Sequence, residues 1–175
     1  AKKVAEVHAG FNGKIKILVV EDNDINRLII NKHIKDWGFD HDEACNGLEA
    51  IEKLSANDYD VILMDIEMPE LNGYAATERI RTEMKGHKSQ IAILAMTAHV
   101  SASEKEKCIA AGMNDYVSKP FDPTEVKNKI IELSGKANES FTEQPIEEAA
   151  NSQSSSQATT KLTSLSFLNE MSGGN

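Results

Sequence analysis

The strongest constraint in this sequence is a series of short, almost unbroken apolar runs separated by segments with helical spacing. Ile15-Lys16-Ile17-Leu18-Val19-Val20, Asp60 to Met64 and Ile91 to Ala95 are such runs, and they suit parallel strands buried on both faces, although periodicity alone leaves a short buried helix open for each. A weaker strand is expected around His41 to Cys45 and a fifth from Asn114 to Ser118. Between them Ile30, Ile34 and Trp37 fall at spacings of four and three and end at Gly38, which predicts a helix with Asp24 as its N-cap. Comparable spacing in Leu48, Ile51 and Leu54 and in Val126, Ile130 and Leu133, with Ser103 to Ala111 stopping at Gly112, completes a βα alternation. Right-handed crossovers then demand an open α/β domain: a doubly wound, five-stranded parallel sheet flanked by five helices. Ligands of such a sheet bind beyond the carboxyl ends of its strands.

The residues expected at those ends are mostly charged. Glu21 and Asp22 follow the first strand, Asp65 the third, Thr97 the fourth and Lys119 the fifth. A nucleotide site would need glycines after the first strand, where the backbone must approach phosphate, but that turn reads Glu-Asp-Asn-Asp. Two like charges about 4 Å apart cost roughly 4 kcal/mol at an effective dielectric near 20. A crevice holding several carboxylates therefore requires a cation, and an all-oxygen donor set points to magnesium, with manganese as the alternative. Beside a divalent ion and Lys119, Asp65 can attack a phosphoryl donor while the Thr97 hydroxyl donates one more hydrogen bond, giving an aspartyl phosphate.

These residues resemble the response-regulator receiver family over roughly Lys14 to Gly135. The resemblance is carried by Ile17-Leu18-Val19-Val20-Glu21-Asp22-Asn23, Leu63-Met64-Asp65-Ile66-Glu67-Met68-Pro69, Gly73, Ala95-Met96-Thr97-Ala98 and Tyr116-Val117-Ser118-Lys119-Pro120-Phe121. It implies a flavodoxin-like strand order 2-1-3-4-5 and a Mg-dependent phosphoacceptor at Asp65. It also implies a metal site from Glu21, Asp22, Asp65 and the backbone carbonyl of Glu67, a switch pair of Thr97 and Tyr116, and a cis Lys119-Pro120 bond. The alternative is a degenerate receiver that acts only as a protein-binding module. The stretch from Ala98 to Glu106 resembles receivers fused to sensor histidine kinases, which implies a hybrid kinase parent, with a histidine kinase domain and a histidine-phosphotransfer domain as partners. No histidine here lies in a kinase phosphorylation motif, so the chain itself is expected to catalyse only its own phosphorylation and dephosphorylation.

Charge and composition exclude other classes. With 28 acidic and 19 basic residues and a net charge of -9, the surface does not suit nucleic-acid phosphates. No segment approaches the roughly 18 apolar residues of a membrane span, so the chain is expected to lie in the cytoplasm, with a membrane anchor in a longer parent left open. Cys45 and Cys108 lack metal-ligand spacing and read as small core side chains in a reducing compartment. Residues 1–13 are expected to be a linker, 14–135 the receiver, and 136–160, rich in Ser, Gln, Glu, Thr and Ala, a flexible linker. In 161–175, Leu162, Leu165, Leu168 and Met171 recur at a spacing of three. That segment reads either as the opening of a histidine-phosphotransfer domain or as a disordered tail.

Overall fold

The computed structural model describes residues 14–99 and 101–136. The expected linkers and the segment 161–175 lie outside the described residues, apart from Lys136. The elements are β1 (Lys16–Val20), α1 (Asp24–Asp36), β2 (Asp40–Ala44), α2 (Gly47–Ala56), β3 (Val61–Asp65), α3 (Gly73–Glu83), a 3-10 turn (Gly86–Gln90), β4 (Ala92–Thr97), α4 (Ala102–Ala111), β5 (Asp115–Ser118) and α5 (Pro123–Leu133). The sheet has five parallel strands in the order β2-β1-β3-β4-β5.

Alternate residues of the central strands enter two separate cores. Leu18, Val20, Ile62, Met64, Ile93 and Ala95 pack with Leu54, Ile80 and Cys108 from α2, α3 and α4. Ile17, Val19, Val61, Leu63, Leu94 and Met96 pack with Ile30 and Ile34 of α1 and with Val126 and Ile130 of α5. Side chains alternate across a strand, so a strand apolar at every position belongs in the middle of a two-sided sheet. Among the described residues β2, with the sequence DHDEA, pairs only with β1 and can carry charge because it is an edge.

Helix starts on the site side are fixed by short polar caps. Asn23, not Asp24, caps α1: its side chain accepts from the amides of Ile25 at 3.0 Å and Asn26 at 3.1 Å. Residue 23 is still extended, at φ -82 and ψ 119, so its side chain reaches the free amides of the first turn. Asp24 is already helical and instead pairs with Arg27. Three further details differ from the sequence expectations. Cys45 is exposed on the β2–α2 connection rather than in the core, while Cys108 is buried. α2 turns Ala50 and Leu54 inward and leaves Leu48 exposed. Finally, α3 buries only Gly73, Ala76, Thr77 and Ile80, too small an apolar stripe to stand out by spacing.

At the edge where the strands begin, the Lys136 ammonium donates to the carbonyl of Lys14 at 2.6 Å and to Asp60 Oδ2 at 3.1 Å, and Asp60 also accepts from the Lys16 amide. The end of α5 is thereby joined to the entry of β1 and β3.

Candidate functional site

The opposite edge, beyond Val20, Asp65, Thr97 and Ser118, gathers the expected residues. Glu21 and Asp65 are buried and Asp22 is exposed, and one carboxylate oxygen from each lies within 4.8 Å of the others. The reason is register: Val20 pairs with Met64, so the residues that follow each strand emerge side by side. Lys119 reaches this cluster from beyond β5, its Nζ 2.6 Å from Glu21 Oε2 and 2.8 Å from Asp65 Oδ2. Its main-chain amide donates to the Thr97 carbonyl at 2.7 Å, and the Lys119-Pro120 bond is cis.

Burial pushes the Asp65 carboxyl above the ordinary range; the Lys119 hydrogen bond opposes the shift, and the Glu21 charge adds to it. For Lys119, burial acts to lower the ammonium's value, but contacts with Asp65 and Glu21 outweigh it, and the net direction is upward. Among the described residues, Lys119 pairs with two of the three clustered carboxylates, Glu21 and Asp65, so the crevice keeps net negative charge. The donors are all hard oxygens, which fit magnesium.

Thr97 is buried at the end of β4, and its hydroxyl donates to the His99 carbonyl at 3.0 Å and accepts from the His99 amide at 3.1 Å. The Glu67 amide donates to Asp65 Oδ1 at 3.3 Å, while the Glu67 side chain lies exposed, 3.9 Å from His99 Nδ1. Tyr116, paired with Ala95 across the sheet, is partly buried. Its ring lies 6.0 Å from the Lys105 ammonium on α4 and 5.9 Å from that of Lys129 on α5. Trp37 stacks on His33 with centroids 5.8 Å apart.

Two participants were missed by the sequence reading. Asn26 Nδ2 donates to Glu21 Oε1 at 3.0 Å, and Arg27 Nη1 donates to the Glu21 carbonyl at 2.8 Å. Their partners depend on how the turn after β1 folds back on α1, which apolar spacing does not report. Beside the crevice lie two depressions. One of about 470 Å³ is lined by Asp22, Glu67, Met68, Tyr74 and Glu104 among others. The other, about 160 Å³ and mostly apolar, is lined by Asn26, Ile29, His33, Lys119, Pro120 and Phe121.

Known proteins resemble this chain in sequence and fold. The family described as response regulator receiver domain matches residues 17–131. A hybrid signal transduction histidine kinase B of Dictyostelium discoideum is 40% identical over 125 residues, covering 66% of this chain and 6% of the kinase. The sensor protein GacS of Pseudomonas syringae is 32% identical over 123 residues, covering 70% of this chain and 14% of that protein. The chain therefore spans only a small part of these relatives. Among solved structures, the receiver domain of a sensor histidine kinase from Pseudomonas aeruginosa, with magnesium coordinated in its active-site cleft, is 34% identical at a TM-score of 0.65 and covers 70% of this chain and 99% of that chain. The receiver domain of a Saccharomyces cerevisiae response regulator, co-crystallised with a histidine phosphotransfer signalling protein, is 30% identical at a TM-score of 0.64 and covers 71% of this chain and 91% of that chain.

Proposed function

Because this chain belongs to the response regulator receiver domain family, we propose that Asp65 accepts a phosphoryl group from a phosphohistidine. The observation that carries the proposal is the Lys119 ammonium held 2.8 Å from Asp65 Oδ2 and 2.6 Å from Glu21 Oε2 at the mouth of the sheet. An Asp65 oxygen attacks phosphorus, the N–P bond of the donor breaks, and the imidazole leaves with its electron pair. Lys119 turns its ammonium from the free carboxylate toward the phosphoryl oxygens, where charge develops. The Thr97 hydroxyl gives up the His99 carbonyl and donates to the acyl phosphate. Tyr116, on the neighbouring strand, completes the proposed switch pair and reports that movement at the surface formed by α4, β5 and α5. Glu21, Asp22, Asp65 and the Glu67 carbonyl would hold magnesium, with manganese as a substitute, which when bound supplies positive charge to the phosphoryl oxygens. Dephosphorylation is hydrolysis: a water oxygen attacks phosphorus, the P–O bond to Asp65 breaks, and inorganic phosphate leaves as the Asp65 carboxylate is restored.

The relatives support a parent of the hybrid sensor histidine kinase type, with a kinase domain as donor and a histidine-phosphotransfer domain as further partner. No helix among the described residues is long and apolar enough to cross a membrane. In α1, Ile25, Leu28 and Ile29 are 69%, 71% and 47% exposed, and Ile29 lines the apolar depression together with Lys119. Such a row suits the docking of an apolar helix that brings its histidine over the crevice.

Intact-mass spectrometry after incubation with magnesium and phosphoramidate tests the proposal. One added phosphoryl group is expected; its absence would leave the chain as a binding module. Chelating the divalent ions with EDTA should reduce incorporation to background, and excess magnesium should restore it. Replacing Leu28 with Asp should lower transfer from a phosphohistidine protein roughly tenfold relative to transfer from phosphoramidate, the loss expected of a central apolar anchor. Stopped-time phosphotransfer assays with both donors measure that ratio.

A further inference from the structure

Glu21 is 1% exposed, and both of its carboxylate oxygens are engaged: Oε2 by Lys119 at 2.6 Å and Oε1 by Asn26 at 3.0 Å. Asn26 is well placed to act as a fixed donor. Its own amide is bonded to the Asn23 cap at 3.1 Å, so the first turn of α1 sets the position of its side chain. The next residue, Arg27, secures the same glutamate from the main-chain side by donating to the Glu21 carbonyl at 2.8 Å. One turn of helix thus orients Glu21 at both its backbone and its side chain. The far oxygen of that carboxylate is the group that, together with Asp65, aims Lys119.

We propose that Asn26 is a positioning residue for phosphoryl transfer, holding the Glu21 carboxylate so that Lys119 is directed at Asp65. The proposal rests on the phosphoacceptor reading of Asp65 and adds a residue to it. The chemistry explains the choice of side chain. An amide donates without carrying charge, so it orients Glu21 while leaving the full carboxylate charge to hold Lys119. A lysine at this position would neutralise Glu21 and weaken that hold, and an aspartate, being acceptor-only, would repel it.

The test compares the wild-type chain with Asn26→Ala and Asn26→Asp. Asn26 is exposed and alanine is a better helix former than asparagine, so Asn26→Ala will fold, and Asn26→Asp keeps the side-chain shape. The first readout is the Lys119 ammonium signal in NMR spectra of the lysine-labelled, metal-free chain, which a merely structural role would not move. In both variants this signal is expected to shift and exchange faster with water. The second readout is phosphorylation by phosphoramidate at saturating magnesium. The maximal rate is expected to fall about five- to tenfold, with the half-saturating donor concentration changed less than about twofold, as for a lost interaction with a charged group felt in the transition state. A Lys119 signal unchanged in Asn26→Asp would overturn the proposal, whatever the rate, and so would a wild-type maximal rate in both variants. If the wild-type chain takes up no phosphoryl group, the reading of Asp65 fails instead, while the ammonium signal still reports whether Asn26 aims Lys119.

Discussion

Asp65→Asn is expected to reduce phosphoryl incorporation to the level seen without magnesium while leaving the fold intact. Asparagine has the same shape, but its amide oxygen is neutral and a poor nucleophile, so the attack that forms the acyl phosphate has no starting point. It also removes a charge that Lys119 needs as a partner, since that ammonium sits 2.8 Å from Asp65 Oδ2. The remaining carboxylate contact, at 2.6 Å to Glu21 Oε2, keeps the lysine in the crevice. Intact mass after exposure to phosphoramidate measures the first effect. A second effect concerns stability: in chelator, the variant should melt no lower than the wild type. Of the three carboxylates clustered within 4.8 Å, Lys119 pairs with Glu21 and Asp65 among the described residues, and the substitution removes one of the three charges. Reactive sites commonly hold such unfavourable charge, and relieving it trades activity for stability. An adduct of undiminished yield in Asp65→Asn would place the acceptor elsewhere.

Gly73→Ala should be the most disruptive single-methyl change in the domain. An added Cβ would meet the Asp65 carbonyl oxygen at 2.2 Å, the Ile66 Cα at 3.0 Å and the Asp65 carbonyl carbon at 3.1 Å, all of them backbone. The first turn of α3 rests directly on the end of β3, and the Gly73 amide donates to the Ile66 carbonyl at 3.0 Å. Neither side can yield by rotating a side chain, so the helix and the end of β3 must separate. Overpacking of this kind costs about 1–3 kcal/mol and occasionally more. Urea denaturation should show a loss at the upper end of that range, accompanied by slower phosphorylation, because the moving atoms belong to the backbone of Asp65, the proposed nucleophile. Gly38 provides the contrast. It has open space around its missing Cβ and a φ of +77, so Gly38→Ala should cost only about 1–2 kcal/mol of backbone strain and leave the crevice unchanged.

How much of this was legible in the residue pattern follows from where the determining interactions lie. β1, β3 and β4 were readable because burial on both faces leaves a continuous apolar run, a local property of the chain. β2 was only faint. Its Asp42 accepts from Tyr59 at 2.8 Å and pairs with Lys16 at 3.0 Å, and such distant partners leave no trace in a five-residue window. α3 escaped for a different reason: its inward face is mostly small, since larger side chains would not let it sit on Ile66 and Asp65. At the site, the rule that ligands gather beyond the strand ends was enough to group Glu21, Asp22, Asp65, Thr97 and Lys119. Asn26 and Arg27 lay beyond that rule, being helical residues that turn back toward the preceding loop. The shift of the α1 cap from Asp24 to Asn23 has the same origin, because a run of four polar residues contains several equally good capping side chains and only the path of the chain selects one.

The clasp between Lys136 and the Lys14 carbonyl has a consequence for how this fold is built into larger proteins. The first and last of the described residues share one pole of this body, and the carboxylates of Glu21, Asp22 and Asp65 occupy the other. A body whose first and last described residues, Lys14 and Lys136, are hydrogen-bonded to each other has the geometry that tolerates insertion between unrelated modules.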